Sequence, residues 1–140
     1  MKKLEDLKKL ENKKYSPKEA LAYYVFAFEK SEGDNDFKNK VKVLIKVLLE
    51  NTNTKEVLEN IDSNLLTEIK NYWQMTVDQL FSYGYIMFYN FSIRKQNVTL
   101  KDIQEEFVYL MKLYSPSNAE EFVENQIIKE ESYKKSSVWK

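Results

Sequence analysis

The sequence predicts an all-α fold: a compact orthogonal or bundle-like domain of about seven to eight helices around a central apolar helix at about 76–94. Three observations support this prediction. The chain of 140 residues contains only two glycines and two prolines, so few residues interrupt helices. Side chains that cap helix N-termini recur at short intervals, and apolar residues follow them at helical spacing. Hydrophobic residues make up 43% of the chain, enough for a buried core.

The first element is an amphipathic N-terminal segment, residues 1–14. Its leucines, Leu4, Leu7 and Leu10, form a narrow apolar stripe among lysines and acidic residues. Such a stripe can pack on the domain itself or on a second copy of the chain. The segment lacks the apolar stretch of a signal peptide, so we expect a cytoplasmic protein, in the producing or a host cell.

The first well-marked helix is predicted at 17–30. Ser16 and Glu19 have the spacing of a capping box, and Pro17 occupies the first helical position that proline favours. Residues 23–28 also have a high propensity for strand, which makes a strand the alternative there. The capping box and the neighbouring alanines favour the helix.

Three shorter helices are predicted next, at 36–51, 54–61 and 63–74. Asp36 marks the first start, Asn53 with Glu56 the second, and Asp62 or Ser63 the third. Short polar stretches separate these segments, as is usual between neighbouring antiparallel helices.

The helix at 76–94 begins at Thr76 or Asp78 and is apolar on every side from residue 80 to 91. Helices that are apolar all round usually lie at the centre of a domain, and we expect helix 17–30 to lie there as well. Gly84 weakens this helix by about 1 kcal/mol relative to alanine. It therefore indicates either the close approach of another helix or a kink.

The last two helices are predicted at 100–114 and 118–134. Thr99 with Asp102 marks the first start, and Ser117 with Glu120 marks the second. Residues 135–140 are expected to form a flexible tail in which Trp139 either docks on a surface or frays. No linker interrupts the chain, so residues 1–140 are expected to form a single domain.

Composition excludes several kinds of chemistry. The chain has no histidine and no cysteine, so it cannot build a Ser-His-Asp triad, a Cys-His pair or a conventional zinc site. No glycine-rich phosphate-binding motif is present. The 22 basic and 22 acidic residues cancel, so no overall charge attracts nucleic acid or a membrane. No cofactor is expected, and the longest uncharged run is too short to span a bilayer.

Paired carboxylates are the best candidates for enzymatic chemistry. Helical spacing places acids on one face of each of the last two helices, namely Asp102, Glu105, Glu106, Glu121 and Glu124. Facing helices could hold Mg²⁺ on a phosphate substrate in this way, and the pattern resembles the all-α nucleotide pyrophosphohydrolases. The resemblance implies a Mg-dependent nucleotide hydrolase. Acids near helix starts are also expected from the helix dipole alone, which favours a solvated face.

A stripe of lysines is the best candidate for binding nucleic acid. Lys38, Lys42 and Lys46 recur every four residues on one helix, and Lys40 lies beside them. Such a stripe can follow phosphates. No arginine or aromatic residue is interleaved to read or stack bases, so an ordinary solvated face is the stronger interpretation.

Aromatic residues and uneven charge point toward binding a protein. Tyr72 and Trp73 belong to a dense group of aromatics, which fits either the core or an exposed recognition patch. Lysines predominate in residues 1–46 and acids in residues 101–131. This uneven charge could attract a partner protein, favour head-to-tail self-association or reflect pairing of the two ends within the bundle. We therefore expect a non-catalytic interaction module: an adaptor, inhibitor or accessory factor, for example of a virus or mobile element. Its partner is another protein or a second copy.

Overall fold

The computed structural model describes residues 7–31, 36–50, 55–60, 74–94 and 98–138, with only the backbone given at 58, 60, 128 and 130–138. These ranges contain six α-helices, one 3-10 turn and no strand. The helices are α1 (Pro17–Lys30), α2 (Phe37–Leu49), α3 (Lys55–Asn60), α4 (Val77–Arg94), α5 (Leu100–Leu113) and α6 (Pro116–Val138), and the 3-10 turn is Leu7–Leu10. The all-α prediction is confirmed.

The predicted number of seven to eight helices is not reached, since the described ranges hold six. Of the helix expected at 63–74, residues 63–73 lie outside them, and residue 74 is described and is not helical. The described part of the amphipathic N-terminal segment, residues 7–14, contains the 3-10 turn, in which Leu7 is fully buried and Leu10 packs against the core. In its described part, this leucine stripe therefore packs on its own domain. No α-helix in the described ranges combines the length and the apolar character that crossing a membrane requires.

Most predicted helix starts are confirmed by their hydrogen bonds. The Glu19 backbone N–H donates to Ser16 Oγ at 3.1 Å, and the Ser16 N–H donates to Glu19 Oε1 at 3.3 Å. Thr99 and Asp102 make the same reciprocal pair at α5. At α4, Thr76 caps the helix, and its reciprocal partner is Gln79 rather than Asp78. Residues 23–28 are helical throughout, so the strand alternative is wrong.

The start of α6 differs from its prediction at 118. The helix begins at Pro116, and Ser115 accepts a hydrogen bond from the Asn118 backbone N–H at 3.2 Å. The cap is therefore Ser115, two residues before Ser117. The reason is proline: Pro116 has the fixed φ angle of a first helical residue and no N–H to satisfy, as Pro17 does in α1. The helix also continues through residues 135–138, which were expected to belong to the tail.

The core forms around α4, which contacts α2, α5, α6 and the 3-10 turn. Tyr24 of α1 is fully buried against it and donates its hydroxyl to the Leu80 carbonyl oxygen at 2.6 Å. A Cβ on Gly84 would lie 2.6 Å from Leu44 Cδ2 and 2.9 Å from Tyr24 Cε1. Gly84 therefore permits the close approach of α1 and α2, as one of the two sequence interpretations predicted.

A short backbone contact joins the segment before α1 to the segment before α4. Tyr15 and Met75 exchange two N–H···O hydrogen bonds, both 2.9 Å long, in an isolated antiparallel bridge. Both side chains are fully buried, and the Tyr15 ring meets the Tyr23 ring edge-on at a centroid distance of 5.9 Å. Among the described residues, the Tyr15 hydroxyl has no hydrogen-bond partner. The start of α4 is thus held against the N-terminal part of the chain.

Candidate functional site

Exposed apolar side chains gather in one place. Six large apolar residues are exposed in the described part of the chain, and five of them line a groove of about 570 Å³. We call it the aromatic groove; α4 forms its floor, and α5 and α6 form its walls. The five exposed residues are Tyr89, Ile93, Tyr109, Leu113 and Phe122. The sixth, Leu49, lies on α2.

Helical periodicity explains how these residues come to face outward. Tyr89 and Ile93 are four residues apart on α4, and Tyr109 and Leu113 are four apart on α5, so each pair forms a ridge. Their neighbours Phe88 and Leu110 turn into the core and are buried. Both helices thus present an apolar ridge beside the face that they bury. Exposures of 40–61% leave about half of each of the five side chains open.

Specific contacts fix the two ends of the groove. The Tyr83 hydroxyl donates to the Tyr114 carbonyl oxygen at 2.7 Å, which holds the end of α5 against the first half of α4. The rings of Tyr114 and Phe122 lie 5.8 Å apart and line the groove there. At its other end, Glu106 of α5 meets Asn90 and Arg94 of α4, so the two helices are antiparallel.

The end near Arg94 is polar. Glu106 is only 6% exposed; one of its carboxylate oxygens accepts from Asn90 at 3.0 Å and the other from Arg94 at 3.1 Å. A smaller cavity of about 280 Å³ opens beside this cluster. We call it the carboxylate mouth, and its lining residues are Arg94, Asp102, Glu105, Glu106 and Tyr109. Because Arg94 and Tyr109 line both cavities, the mouth continues the groove.

The remaining acids of the mouth have weaker partners. A hydrogen bond from the Thr99 backbone N–H holds the pKa of Asp102 below its ordinary value. Glu105 lies 3.7 Å from Lys101, and both side chains are at least half exposed. Exposed pairs of this kind contribute little, so Glu105 can exchange its partner at small cost.

The structure does not bring the predicted magnesium ligands of α5 together with those of α6. Asp102 accepts from the N–H of Thr99, the N-cap of α5; Glu105 pairs with Lys101, and Glu106 is buried against Arg94. Glu121 and Glu124 are exposed on α6. Within the described ranges, no three acidic side chains are grouped so that they could hold a metal ion. The acids of the two helices therefore act separately, and those of α5 are already engaged within the protein.

A second pair of acids lies where α6 meets the start of α4. Burial, and then the nearby Glu11, raises the pKa of Asp78 above its ordinary value. Burial, and then Asp78, likewise raises the pKa of Glu120, while a hydrogen bond with Gln79 opposes that effect. Mutual repulsion and partial burial make this junction less stable when both acids are charged.

The predicted lysine stripe is only partly exposed. Lys38, Lys42 and Lys46 are on the open face of α2, but Lys40 is 6% exposed and does not belong to the stripe. Its ammonium lies 3.1 Å from Ser31 Oγ and 4.2 Å from the centre of the Phe28 ring. Ser31 is the C-terminal cap of α1, where the helix dipole attracts a cation. Lys40 thus joins α2 to the end of α1.

Sequence reasoning missed most of the site. Tyr72, Trp73 and Trp139, which were singled out, lie outside the described residues. Tyr109 and Leu113 did give a signal, because α5 already has a buried apolar face in Ile103, Phe107 and Leu110. Apolar residues that lie outside the core-facing side of an amphipathic helix indicate a second contact surface.

No family model, curated protein or solved structure matches the chain. The shape and the chemistry of the groove are therefore the basis for assigning a function.

Proposed function

We propose that this chain is a non-catalytic protein-interaction domain that binds an amphipathic α-helix of another protein in the aromatic groove. The observation that carries the proposal is that five of the six large apolar side chains exposed in the described ranges cluster along one groove. Scattered single apolar residues are normal on a surface, whereas a contiguous set indicates a binding site.

The shape of the groove favours a helix as the occupant. The ridges of α4 and α5 are both formed by residues four positions apart. Ridges of this kind pack into the grooves on the surface of another helix. On α4 the lining runs from Tyr85 to Arg94, which corresponds to roughly 13 Å or two and a half turns. A partner helix of about three to four turns, with anchors at i, i+4 and i+7, matches this length.

The area also suits a single helix. Aromatic side chains present about 150–250 Å² each, so five large residues that are about half exposed offer roughly 500 Å² of apolar surface. A standard interface buries about 800 Å² per partner, and its rim is polar. The tyrosines suit a surface that is open in the free protein, because their hydroxyl groups stay hydrated until a partner binds.

Selection from a displayed library of amphipathic helices on the purified chain tests the proposal. We expect anchored helices to be enriched, and we expect Tyr109→Ser or Leu113→Ser to weaken the selected helix at least about tenfold, as for central interface residues. The stability of either variant should change by no more than about 0.5 kcal/mol, because both side chains are exposed.

Leu49→Ser is the matched control, since among the described residues Leu49 is the large apolar one that is exposed outside the groove. It should bind the selected helix like the unmodified chain. Equal losses in the control and in the groove variants would overturn the proposal, as would a library from which no helix is enriched.

Binding of nucleic acid by Lys38, Lys42 and Lys46 is the second candidate. Their shared exposed face supports it, but Lys46 also lies 4.0 Å from Glu50. α2 has no arginine, and its single aromatic residue, Phe37, packs against Tyr85 and Tyr89. Without groups that stack or read bases, contact with phosphates alone gives weak and salt-sensitive binding. The aromatic groove is therefore the better supported site.

A further inference from the structure

Resting on the proposed function, we infer that the helix bound in the aromatic groove carries a lysine or arginine in one terminal turn, seated in the carboxylate mouth. The inference names the chemistry of the partner at one end of the site. It rests on charge complementarity between the mouth and its occupant.

The charges of the described residues that line the mouth do not cancel. Both carboxylate oxygens of Glu106 are engaged by Asn90 and Arg94, so Glu106 and Arg94 form a neutral unit. Asp102 and Glu105 then remain, and Lys101 offsets them only through an exposed contact of 3.7 Å. A cation from the partner restores balance where a carboxylate would be repelled.

Tyr109 adds an attraction that is specific for cations. It is 54% exposed and lines both the aromatic groove and the carboxylate mouth. Its ring can therefore contact the apolar stem of a lysine or arginine while the charged end reaches Asp102 or Glu105. A cation over a tyrosine face gains further electrostatic stabilisation.

The geometry of the groove brings one end of the bound helix to this mouth. Tyr114 and Phe122 line the end of the groove away from the mouth, and Arg94 lies where the groove meets the mouth, so a helix that follows the groove has one end near Arg94. The groove spans only about two and a half turns. The last turn of a helix of three to four turns therefore reaches the mouth.

α2 of a second copy is a poorer occupant, although its open face carries Lys38, Lys42 and Lys46. Leu49 is the only large apolar residue exposed on α2, and residues such as Leu44 and Leu48 are buried in the core of its own domain. It cannot present a free apolar stripe beside those lysines without unfolding. The occupant is therefore a helix of another protein.

A second displayed library tests the inference. Its helices have fixed apolar anchors, and lysine, glutamine and glutamate are equally represented in the first and last turns. On the unmodified chain we expect lysine to be enriched over glutamine at one terminus by roughly two- to fivefold per round, the size of an exposed ion pair. The enrichment should disappear on the double variant Asp102→Asn, Glu105→Gln.

We expect the double variant to fold, because an asparagine oxygen at 102 can still accept the Thr99 N–H at the start of α5. Glu121→Gln removes an exposed charge on α6 outside the mouth and should leave the preference for lysine intact. A thermal unfolding curve for each variant confirms that the selections compare folded proteins.

The possible outcomes separate the two ideas. Anchored helices that bind through the groove without a preference for lysine would overturn the inference and leave the proposed function standing. A preference for lysine that survives the double variant would also overturn the inference, because the mouth would not be its source. Helices that fail to depend on Tyr109 and Leu113 would overturn the proposed function itself.

Discussion

At Gly84 the absence of a side chain sets the distance between three helices. The two nearest side-chain atoms to a Cβ at this position would be Leu44 Cδ2 and Tyr24 Cε1, at 2.6 and 2.9 Å. Leu44 can shift its terminal methyl group. Tyr24 has less freedom, because its hydroxyl is held by the Leu80 carbonyl oxygen and its ring packs edge-on against Phe107.

The variant Gly84→Ala is expected to be less stable by about 1–2 kcal/mol. Alanine gains about 1 kcal/mol of helix propensity, but overpacking a core costs about 1–3 kcal/mol, and the fixed ring of Tyr24 places this site toward the upper end. Urea unfolding measures the change. Ser92→Ala, at a partly exposed position of the same helix, should be close to neutral. A more stable Gly84→Ala variant would contradict the packing described above.

Single residues show both the reach and the limit of sequence reasoning. The capping of α1 by Ser16 follows from local spacing, because the cap and its partner are three residues apart. Lys40 could not be placed in this way. Its burial depends on Phe28 and on the end of α1, which the chain brings to it only through the packing of α1 on α2.

At the scale of elements, the start of α6 shows how two competing caps are resolved. Ser117 and Glu120 have the spacing of a capping box, but Ser115 and Pro116 begin the helix two residues earlier. Ser117 then lies inside the first turn and is exposed. Proline therefore decided the boundary, in the same way as it did at Ser16 and Pro17.

Two alanine variants distinguish these caps. Ser115→Ala should lower the free energy of unfolding by about 1 kcal/mol, because it leaves the Asn118 N–H without its side-chain acceptor. Ser117→Ala should be neutral or slightly stabilising, since serine inside a helix has a lower propensity than alanine. Chemical denaturation of both variants provides the comparison. The reverse order of stabilities would restore Ser117 as the cap.

The helices were predictable, whereas the groove between them was not. The predicted bounds of α1 and α4 agree with the structure to within one residue, because caps and apolar runs are local signals. The groove depends on which helices become neighbours. The apolar pattern of α5 indicates that Tyr109 and Leu113 lie beside its core face, but nothing in the order of residues shows that they would share a groove with Tyr89, Ile93 and Phe122.

For the whole molecule, buried tyrosines link stability to alkaline pH. Burial, and then the neighbouring Tyr23, raises the pKa of Tyr15 from 10.0 to about 12. Burial also raises the pKa of Tyr23 and, further still, that of Tyr24. In each case the folded state resists ionisation that the unfolded chain accepts near pH 10. The unfolded state therefore binds fewer protons above that pH, and stability falls as pH rises.

We expect the free energy of unfolding to be unaffected by these tyrosines below about pH 10 and to decline between pH 10 and pH 12. Tyr15→Phe removes one ionising group, so the variant should lose less stability over this interval. At neutral pH it should be at least as stable as the unmodified chain, because the Tyr15 hydroxyl has no partner among the described residues.

Unfolding curves at a series of pH values test this expectation. Tyr109→Phe is the matched control, since it removes a half-exposed tyrosine hydroxyl outside the core and leaves Tyr15 in place. Identical pH profiles for Tyr15→Phe and the unmodified chain would show that Tyr15 does not contribute to the loss.

The bridge between Tyr15 and Met75 also bears on the order of folding. The two residues are about 60 positions apart, so joining them in a flexible chain costs roughly 4 kcal/mol of loop entropy. Their two hydrogen bonds contribute about 1 kcal/mol each. The contact cannot therefore form by itself and has to wait until the intervening helices bring its ends together. The pairing is a late product of folding and does not guide it.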